Sequence, residues 1–511
     1  MKNILIVGSG QAGLITATTI KACFPEFDVT VVASSEIPPI GVGEGSTEQW
    51  TAYEKRVGID RPQLLKESMA TLKHGIRFLH WTNHTPDYFH SISSGQRYAE
   101  PGTFNGVYSF IHASGRKLTP SLAHQGLVKN FVQDVENEWN QVNQFHFDSH
   151  KLNIFLKNHA KSMGIDFINA EVQGIFRDSE NGDITHVITS SGKIETDFVV
   201  DASGFKQVIL NELGDIHQTS FSDYLPCDTA LVFQTPGNHS IKAFTEAKAL
   251  SAGWHWDIPT YERRGHGYVF SSEHITEERA AQEVEYYIDE PVKDARIIKY
   301  KPYKVQNSWQ FNCVAVGLAS NFIEPLEATS IAATIEQARL LCSYLPTYKP
   351  NSNGPQYGYL KVFDSIFDNL LTMVSMHYVS DRKDTPMWQD QQDAQKTELL
   401  RFLLEIFKHR GPENHDLSLT GFELFGPAHF WHVGQGQGLI SREGCEVGVD
   451  VYSSTPEALE VIREVQVRNS ETPEIPHRTL LDRLHKKDDF EINLDWAVDD
   501  FKGQSFARLE Q

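Results

Sequence analysis

The first twenty residues constrain the fold more than any other stretch. Ile4-Leu5-Ile6-Val7 is a short apolar run, Gly8-Ser9-Gly10-Gln11-Ala12-Gly13 follows, and Leu14 to Ile20 continues with apolar residues at helical spacing. A strand that turns on glycines into a helix is the opening unit of a doubly wound, Rossmann-like α/β fold. Gly8 permits the turn, Gly10 lets the backbone approach a pyrophosphate, and Gly13 lets helix and strand pack closely, so the helix N-terminus can hold the anion. One such fingerprint is weak evidence by itself. At the first strand of a chain it points to a dinucleotide.

The next turns separate FAD from NAD. The second strand, Val29 to Val32, should end in an acid that bonds the adenosine ribose, but that position is Ala33. Glu36, three residues on, is one substitute, and it reads equally well as a solvated loop acid. Ile40-Gly41-Val42-Gly43-Glu44-Gly45-Ser46 forms a second glycine-rich turn. An apolar strand at Phe198 to Val200 runs into Asp201-Ala202-Ser203-Gly204-Phe205, and Val314-Ala315-Val316 runs into Gly317-Leu318-Ala319-Ser320. FAD is long and needs several backbone approaches, so these turns, separated by long insertions, predict a discontinuous FAD module of the flavin monooxygenase type. Taken singly, each also reads as an ordinary βα loop.

Composition excludes several partners. A net charge of −21 over 511 residues argues against nucleic acid or an anionic membrane, which need clustered Lys and Arg. The apolar N-terminal run is too short and too soon followed by glycine for a signal peptide, and no run is long enough to span a membrane. Five scattered cysteines without C-x-x-C spacing suit a reducing cytoplasm and argue against a metal site. The expected organisation is a discontinuous FAD-binding module at 1–80 and 150–345, an insertion at 81–149 covering the substrate pocket, and a mostly helical substrate-side region at 346–511. Within that last region, Gln395 to His409 has helical spacing, Ser418 to Gly438 reads as irregular, and the acidic end from Asp488 reads as a surface tail.

Three motifs carry chemistry. Gly253-Trp254-His255-Trp256-Asp257-Ile258-Pro259 places two tryptophans at i and i+2 before Ile-Pro, a pattern beyond ordinary core alternation, although core bracing is compatible with it. Lys73 stands among apolar residues in Ala70-Thr71-Leu72-Lys73-His74-Gly75-Ile76-Arg77-Phe78; taken alone it reads as a snorkelling lysine. Phe322-Ile323-Glu324-Pro325-Leu326-Glu327 brings two acids close together. With the glycine turns, these motifs resemble the flavin-dependent halogenases that act on tryptophan and other indoles.

That resemblance implies roles. Lys73 takes the place of the family's catalytic lysine and Glu327 that of its catalytic glutamate. The family's Ser-Thr-Gly beside the halide is here Ala328-Thr329-Ser330, so Thr329 and Ser330 are the expected halide residues, with backbone approach more restricted at Ser330 than at a glycine. Trp254, Trp256, Ile258 and Pro259 form the motif that blocks ordinary monooxygenation. Gly8, Ser9, Gly10, Gln11, Ala12, Gly13, Gly43, Glu44, Gly317 and Leu318 are the expected cofactor contacts. His90 and Trp431 match two members of the aromatic sandwich that holds the indole, with Ile92 where a phenylalanine would stand. His90 reads also as an ordinary hydrogen-bonded histidine. The tyrosine pair that engages the amino-acid backbone has no counterpart. Register is good to about residue 345 and survives beyond it at His377-Tyr378, Asp384 to Trp388 and Phe430-Trp431.

The implied reaction uses FAD as FADH2 with O2 to oxidise halide to hypohalous acid, which Lys73 and Glu327 direct onto a small aromatic substrate, an indole. Free in water that oxidant is indiscriminate, so the site needs a placed cation, a carboxylate and walls that exclude water. Implied partners are a separate flavin reductase, halide and the aromatic; a homodimer stays open. Two alternatives remain. An aromatic hydroxylase using NAD(P)H is disfavoured by the tryptophan motif and by the lack of a second dinucleotide fingerprint. A silent FAD-binding protein is disfavoured because Lys73 and Glu327 are both in place.

Overall fold

Parallel pairing of Asn3–Val7 with both Asp28–Ala33 and Phe198–Asp201 builds the expected opening unit. In the computed structural model, which describes residues 2–37, 45–91, 131–133, 144–237, 240–417, 420–446 and 474–486, Cys313–Ala315 and Asp166–Asn169 extend this sheet in parallel. Trp309–Gln310 closes one edge antiparallel, making six strands. Alternation along the first strand sends its side chains to two cores. Ile4 and Ile6 share one with Leu14 and Ile331, from helices Gln11–Cys23 and Thr329–Tyr344. Leu5 and Val7 share the other with Ile209 and Leu210. A sheet buried on both faces explains why its strands read as continuous apolar runs.

A second sheet frames the site. Its seven strands run in the order Arg296–Lys299, Thr229–Pro236, Arg263–Phe270, Gly253–Pro259, Thr245–Ala249, Ile76–Leu79 and Asp87–His90. The tryptophan motif is therefore an inner strand, His90 ends an edge strand, and Lys73 lies between Thr71–Leu72 and the strand at Ile76. The insertion expected from residue 81 begins inside this sheet, because Asp87–His90 pairs antiparallel with Ile76–Leu79. Residues 92–130 and 134–143 of it lie outside the described residues, as do the acidic end and residues 447–473.

The described part beyond residue 350 is mostly helical, with Gly354–His377, Glu398–Ile406, Pro427–Gly436 and His477–Lys486. The third of these replaces the irregular chain expected between Ser418 and Gly438. Pro427 starts it at a position where a missing N–H costs nothing. Its interior glycines, which weaken a helix in isolation, permit close packing: a Cβ on Gly436 would lie 2.3 Å from the Tyr88 ring. No described helix is long and apolar enough to cross a membrane.

Candidate active site

The glycine turn has the geometry an anion needs. Gly8 adopts φ +116°, and a Cβ there would lie 2.4 Å from Ala202 O, while a Cβ on Gly13 would lie 2.0 Å from Gly8 O. Close packing thus excludes side chains at both positions. At Gly10, by contrast, a Cβ would meet nothing within 4 Å. Helix Gln11–Cys23 starts at this residue with no capping side chain and no acid in its first turn. Open space in front of uncapped amides fits a pyrophosphate. Around the turn, Ser9 O accepts from Asn153 Nδ2 at 3.2 Å and Gln11 Nε2 donates to Ser149 O at 3.5 Å. Gly317 comes close to the same helix, since a Cβ on it would lie 2.6 Å from Ala12 Cβ. Its N–H donates to Gln337 Oε1 at 3.0 Å, and Leu318 O accepts from the Tyr303 hydroxyl. Gly43 and Glu44 lie outside the described residues.

Lys73 is fully buried, so it does not snorkel. Thr71–Leu72 pairs with Phe145–His146, and the Lys73 N–H donates to Gln144 O at 3.0 Å, which aims the side chain at the second glycine turn. There Nζ donates to Ser46 O at 2.8 Å. A Cβ on Gly45 would lie 3.1 Å from Ala328 Cβ and 3.4 Å from Lys73 Nζ, so this glycine separates the lysine from the acidic motif by little more than its own backbone. Burial pulls the Lys73 ammonium down to about 7, against the opposing charge of Glu327.

The two acids of the motif live in different surroundings. Glu324, fully buried, accepts from Tyr378 OH at 2.7 Å and from Trp254 Nε1 at 3.3 Å, both on Oε1. Burial pushes it up to about 8 despite these two bonds. Glu327 is also buried, yet held well below the usual carboxylate range: desolvation would raise it, and His90 and His377 more than offset that. His90 Nδ1 lies 2.7 and 2.8 Å from its two oxygens. His377 Nε2 lies 2.7 Å from Oε1, close but without hydrogen-bond alignment. Glu327 and Ala328 both adopt left-handed backbone, φ +76° and +55°, which costs non-glycine residues free energy and is held in place by the surrounding packing. Helix Thr329–Tyr344 then begins without a capping side chain. Ser330 lies inside this helix with right-handed backbone, so the residue type restricts approach there less than expected from the sequence.

A narrow cavity joins the motifs. Trp254, Trp256 and Ile258 form one wall; Pro325, Leu326, Glu327, Ala328 and Ser330 form the other; Gly45 lies between. The two tryptophan rings are both buried, 5.7 Å apart, so they brace the strand and line the cavity at once. Pro259 ends the strand, its carbonyl accepting from Thr71 Oγ1 at 2.7 Å. Thr329 is buried at the helix start. His90 is brought to Glu327, as a partner of its carboxylate. Trp431 is not brought to the cavity: it is fully buried, donates Nε1–H to Pro412 O at 3.1 Å and packs on Gly411. Ile92 lies outside the described residues.

Sequence reasoning missed the rest of the histidine cluster. His377 accompanied Tyr378 in a noted motif without a role, and His429, whose Nδ1 lies 2.9 Å from His90 Nε2, drew no notice. The available signal was weak: His429 and His432 are three apart on one helix, beside an aromatic pair.

A doubly wound sheet with an open phosphate turn, combined with a buried lysine and carboxylate on an aromatic-walled cavity, defines an enzyme of the flavin-dependent halogenase class. The chain belongs to the tryptophan halogenase family, whose profile matches residues 3–450. It is 27% identical over 434 residues to tryptophan 7-halogenase RebH of Lentzea aerocolonigenes, covering 79% of this chain and 81% of that protein. Tryptophan 6-halogenase SttH of Streptomyces toxytricini is 28% identical over 449 residues, with 81% and 85% covered. A tryptophan halogenase from Shewanella frigidimarina NCIMB 400 superposes with TM-score 0.84 at 25% identity, over 95% of this chain and 98% of that one. Xcc4156, a flavin-dependent halogenase from Xanthomonas campestris, does so with TM-score 0.81 at 27% identity, over 94% and 98%. These likenesses favour halogenation over the hydroxylase alternative.

Proposed function

We propose that this enzyme halogenates an indole lacking the free amino-acid group, using halide, O2 and FADH2 delivered by a separate flavin reductase. The observation that carries the reading is the cavity joining the tryptophan strand to the Glu327–Ser330 segment. FAD, held at the Gly8–Gly13 and Gly317 turns, supplies in reduced form the electrons with which O2 oxidises halide. The open amides at Thr329 and Ser330 hold the halide at a helix N-terminus. The Lys73 ammonium binds the oxygen of hypohalous acid and points its halogen at the ring. The Glu327 carboxylate stabilises the cationic ring that forms when the C–halogen bond is made. Trp254, Trp256 and Ile258 exclude the water that would release the oxidant.

Substrate choice follows from charge. Among the described residues lining the cavity, Glu327 is the only ionisable one, and it is already engaged by two histidines. A zwitterionic tryptophan backbone buried there would leave charges unpaired, which is costly. Indole and tryptophan at equal concentration, each with reductase, FAD, NADH and bromide, test this by mass spectrometry of the products. Higher turnover of indole is expected; a clear preference for tryptophan would overturn the substrate assignment.

A further inference from the structure

We propose that Glu48, His429 and His90 form an inward proton path that reloads Glu327 from the protein surface, supplying the proton that halide oxidation consumes. The proposal rests on the halogenase reading. Balanced, FADH2, O2, halide and one proton give FAD, hypohalous acid and water; transfer of the halogen, HOX plus Ar–H giving Ar–X plus water, consumes none. One proton per turnover must therefore enter a site whose walls exclude solvent.

The path is hydrogen-bonded from His429 to Glu327 and open by one short gap at its surface end. Glu327, His90 and His429 are all buried, whereas the Glu48 side chain keeps 14% exposure. Glu48 Oε1 lies 3.8 Å from His429 Nε2, a nitrogen with no hydrogen-bond partner among the described residues. His429 Nδ1 lies 2.9 Å from His90 Nε2, and His90 Nδ1 lies 2.7 Å from Glu327 Oε2.

Its direction follows from which atoms can donate. An ionised carboxylate only accepts, so His90 must carry its proton on Nδ1. His90 Nε2 is then bare and accepts, so His429 must also carry its proton on Nδ1. With a single proton on each ring, that leaves His429 Nε2 bare toward Glu48, and every N–H points at the site. A proton arriving at His429 Nε2 lets its Nδ1–H move to His90 Nε2 while the His90 Nδ1–H moves to Glu327. Glu327 gives this proton to hypohalous acid formation and is left as the carboxylate needed for the following halogen transfer, and both rings, now protonated on Nε2, return to Nδ1–H before the next proton enters. Burial pulls His90 down to about 4, so the ring is neutral between passages. The other branch from Glu327, through His377 to Tyr88 OH at 2.8 Å, ends on a buried phenol that desolvation pushes well above its ordinary value. It holds the carboxylate in position and conducts nothing.

His429 thus acts through His90, as a positioning and relay residue. His429→Gln keeps a hydrogen-bonding group but cannot pass a proton, and is expected to lose about a hundred-fold in kcat, with KM for the arene and FAD binding unchanged. In His429→Ala, added imidazole is expected to restore much of the lost kcat, which it would not do for a purely structural defect. Unaltered kcat in the glutamine variant, or no rescue of the alanine variant, overturns the relay. Independently of turnover, NMR of protein labelled with 15N-histidine is expected to find Nδ1–H tautomers at His90 and His429. An Nε2–H tautomer or an imidazolium at either position overturns the direction. If the wild-type protein gives no halogenated product with FADH2, halide and arene, the halogenase reading fails instead, and the tautomers alone decide whether the chain is oriented inward.

Discussion

The indole N–H of Trp254 reaches Oε1 of Glu324 at 3.3 Å, tying the tryptophan strand to the acidic motif across the cavity. Burial, which this bond only partly offsets, separates two acids three residues apart in sequence. Glu324, pushed up to about 8, is protonated near neutrality, and Glu327, held far below its usual range, is the charged one. Environments that drive neighbouring carboxyls apart assign them different work, here structural for Glu324 and electrostatic for Glu327.

Glu324 makes stability depend on pH. Its ordinary value is 4.5 and its folded value about 8, so between these the folded state holds a proton that the unfolded state has lost. Stability therefore falls as pH rises through that window. Glu324→Gln, neutral at every pH, removes this slope. Thermal melts from about pH 5 to 9 are expected to favour the variant increasingly at the alkaline end, by several kcal/mol at most. A wild-type-to-variant difference that does not change with pH would show that Glu324 does not carry the proton.

Lys73→Ala is expected to abolish halogenation while leaving FAD binding and the far-UV circular dichroism spectrum intact, because Lys73 contacts the Ser46 carbonyl and none of the Gly8–Gly13 turn. In the wild-type enzyme the ammonium has an apparent value near 7, lowered by burial. The charged form is lost as pH rises through that value, so kcat should decline on the alkaline side. Substantial product from a folded Lys73→Ala protein would remove the lysine from the mechanism.

Glu327→Gln should cost less than Lys73→Ala, about a hundred-fold in kcat, since the amide keeps a hydrogen bond but loses both the charge and the ability to pass a proton. Single-turnover kinetics with a fixed amount of reduced flavin measure this directly. Unchanged turnover would move the role to Glu324.

Electron supply is tested by replacing the reductase. FAD reduced chemically and mixed with enzyme, halide, arene and oxygen is expected to give product without any other protein. Bleaching of the bound flavin by NADPH alone would instead favour the hydroxylase.

Ser330 lines the cavity next to the expected halide position. Bromide is easier to oxidise than chloride, so bromination should match or exceed chlorination. Competition between the two salts at equal concentration reads the ratio, and because Ser330 has ordinary helical backbone, Ser330→Gly should change it little. A wild-type preference for chloride would refute this account of the halide site.

What the sequence determined by itself was local. Gly8 and Gly13 are where backbones approach too closely for any side chain, Asn3–Val7 and Phe198–Asp201 are apolar because a two-sided sheet buries them, and Lys73, Glu327 and the tryptophan strand lie in recognisable motifs. The glycine fingerprint and the apolar runs are legible from local spacing, whereas Lys73 and Glu327 stand out only through the family resemblance. Only the tertiary structure decided which acid of Glu324 and Glu327 carries charge, that Trp431 packs on Gly411 away from the cavity, and that His429 meets His90 across 339 residues of chain. Those outcomes depend on desolvation and on contacts between distant segments, and neither is written in the residues adjacent to the ones they affect.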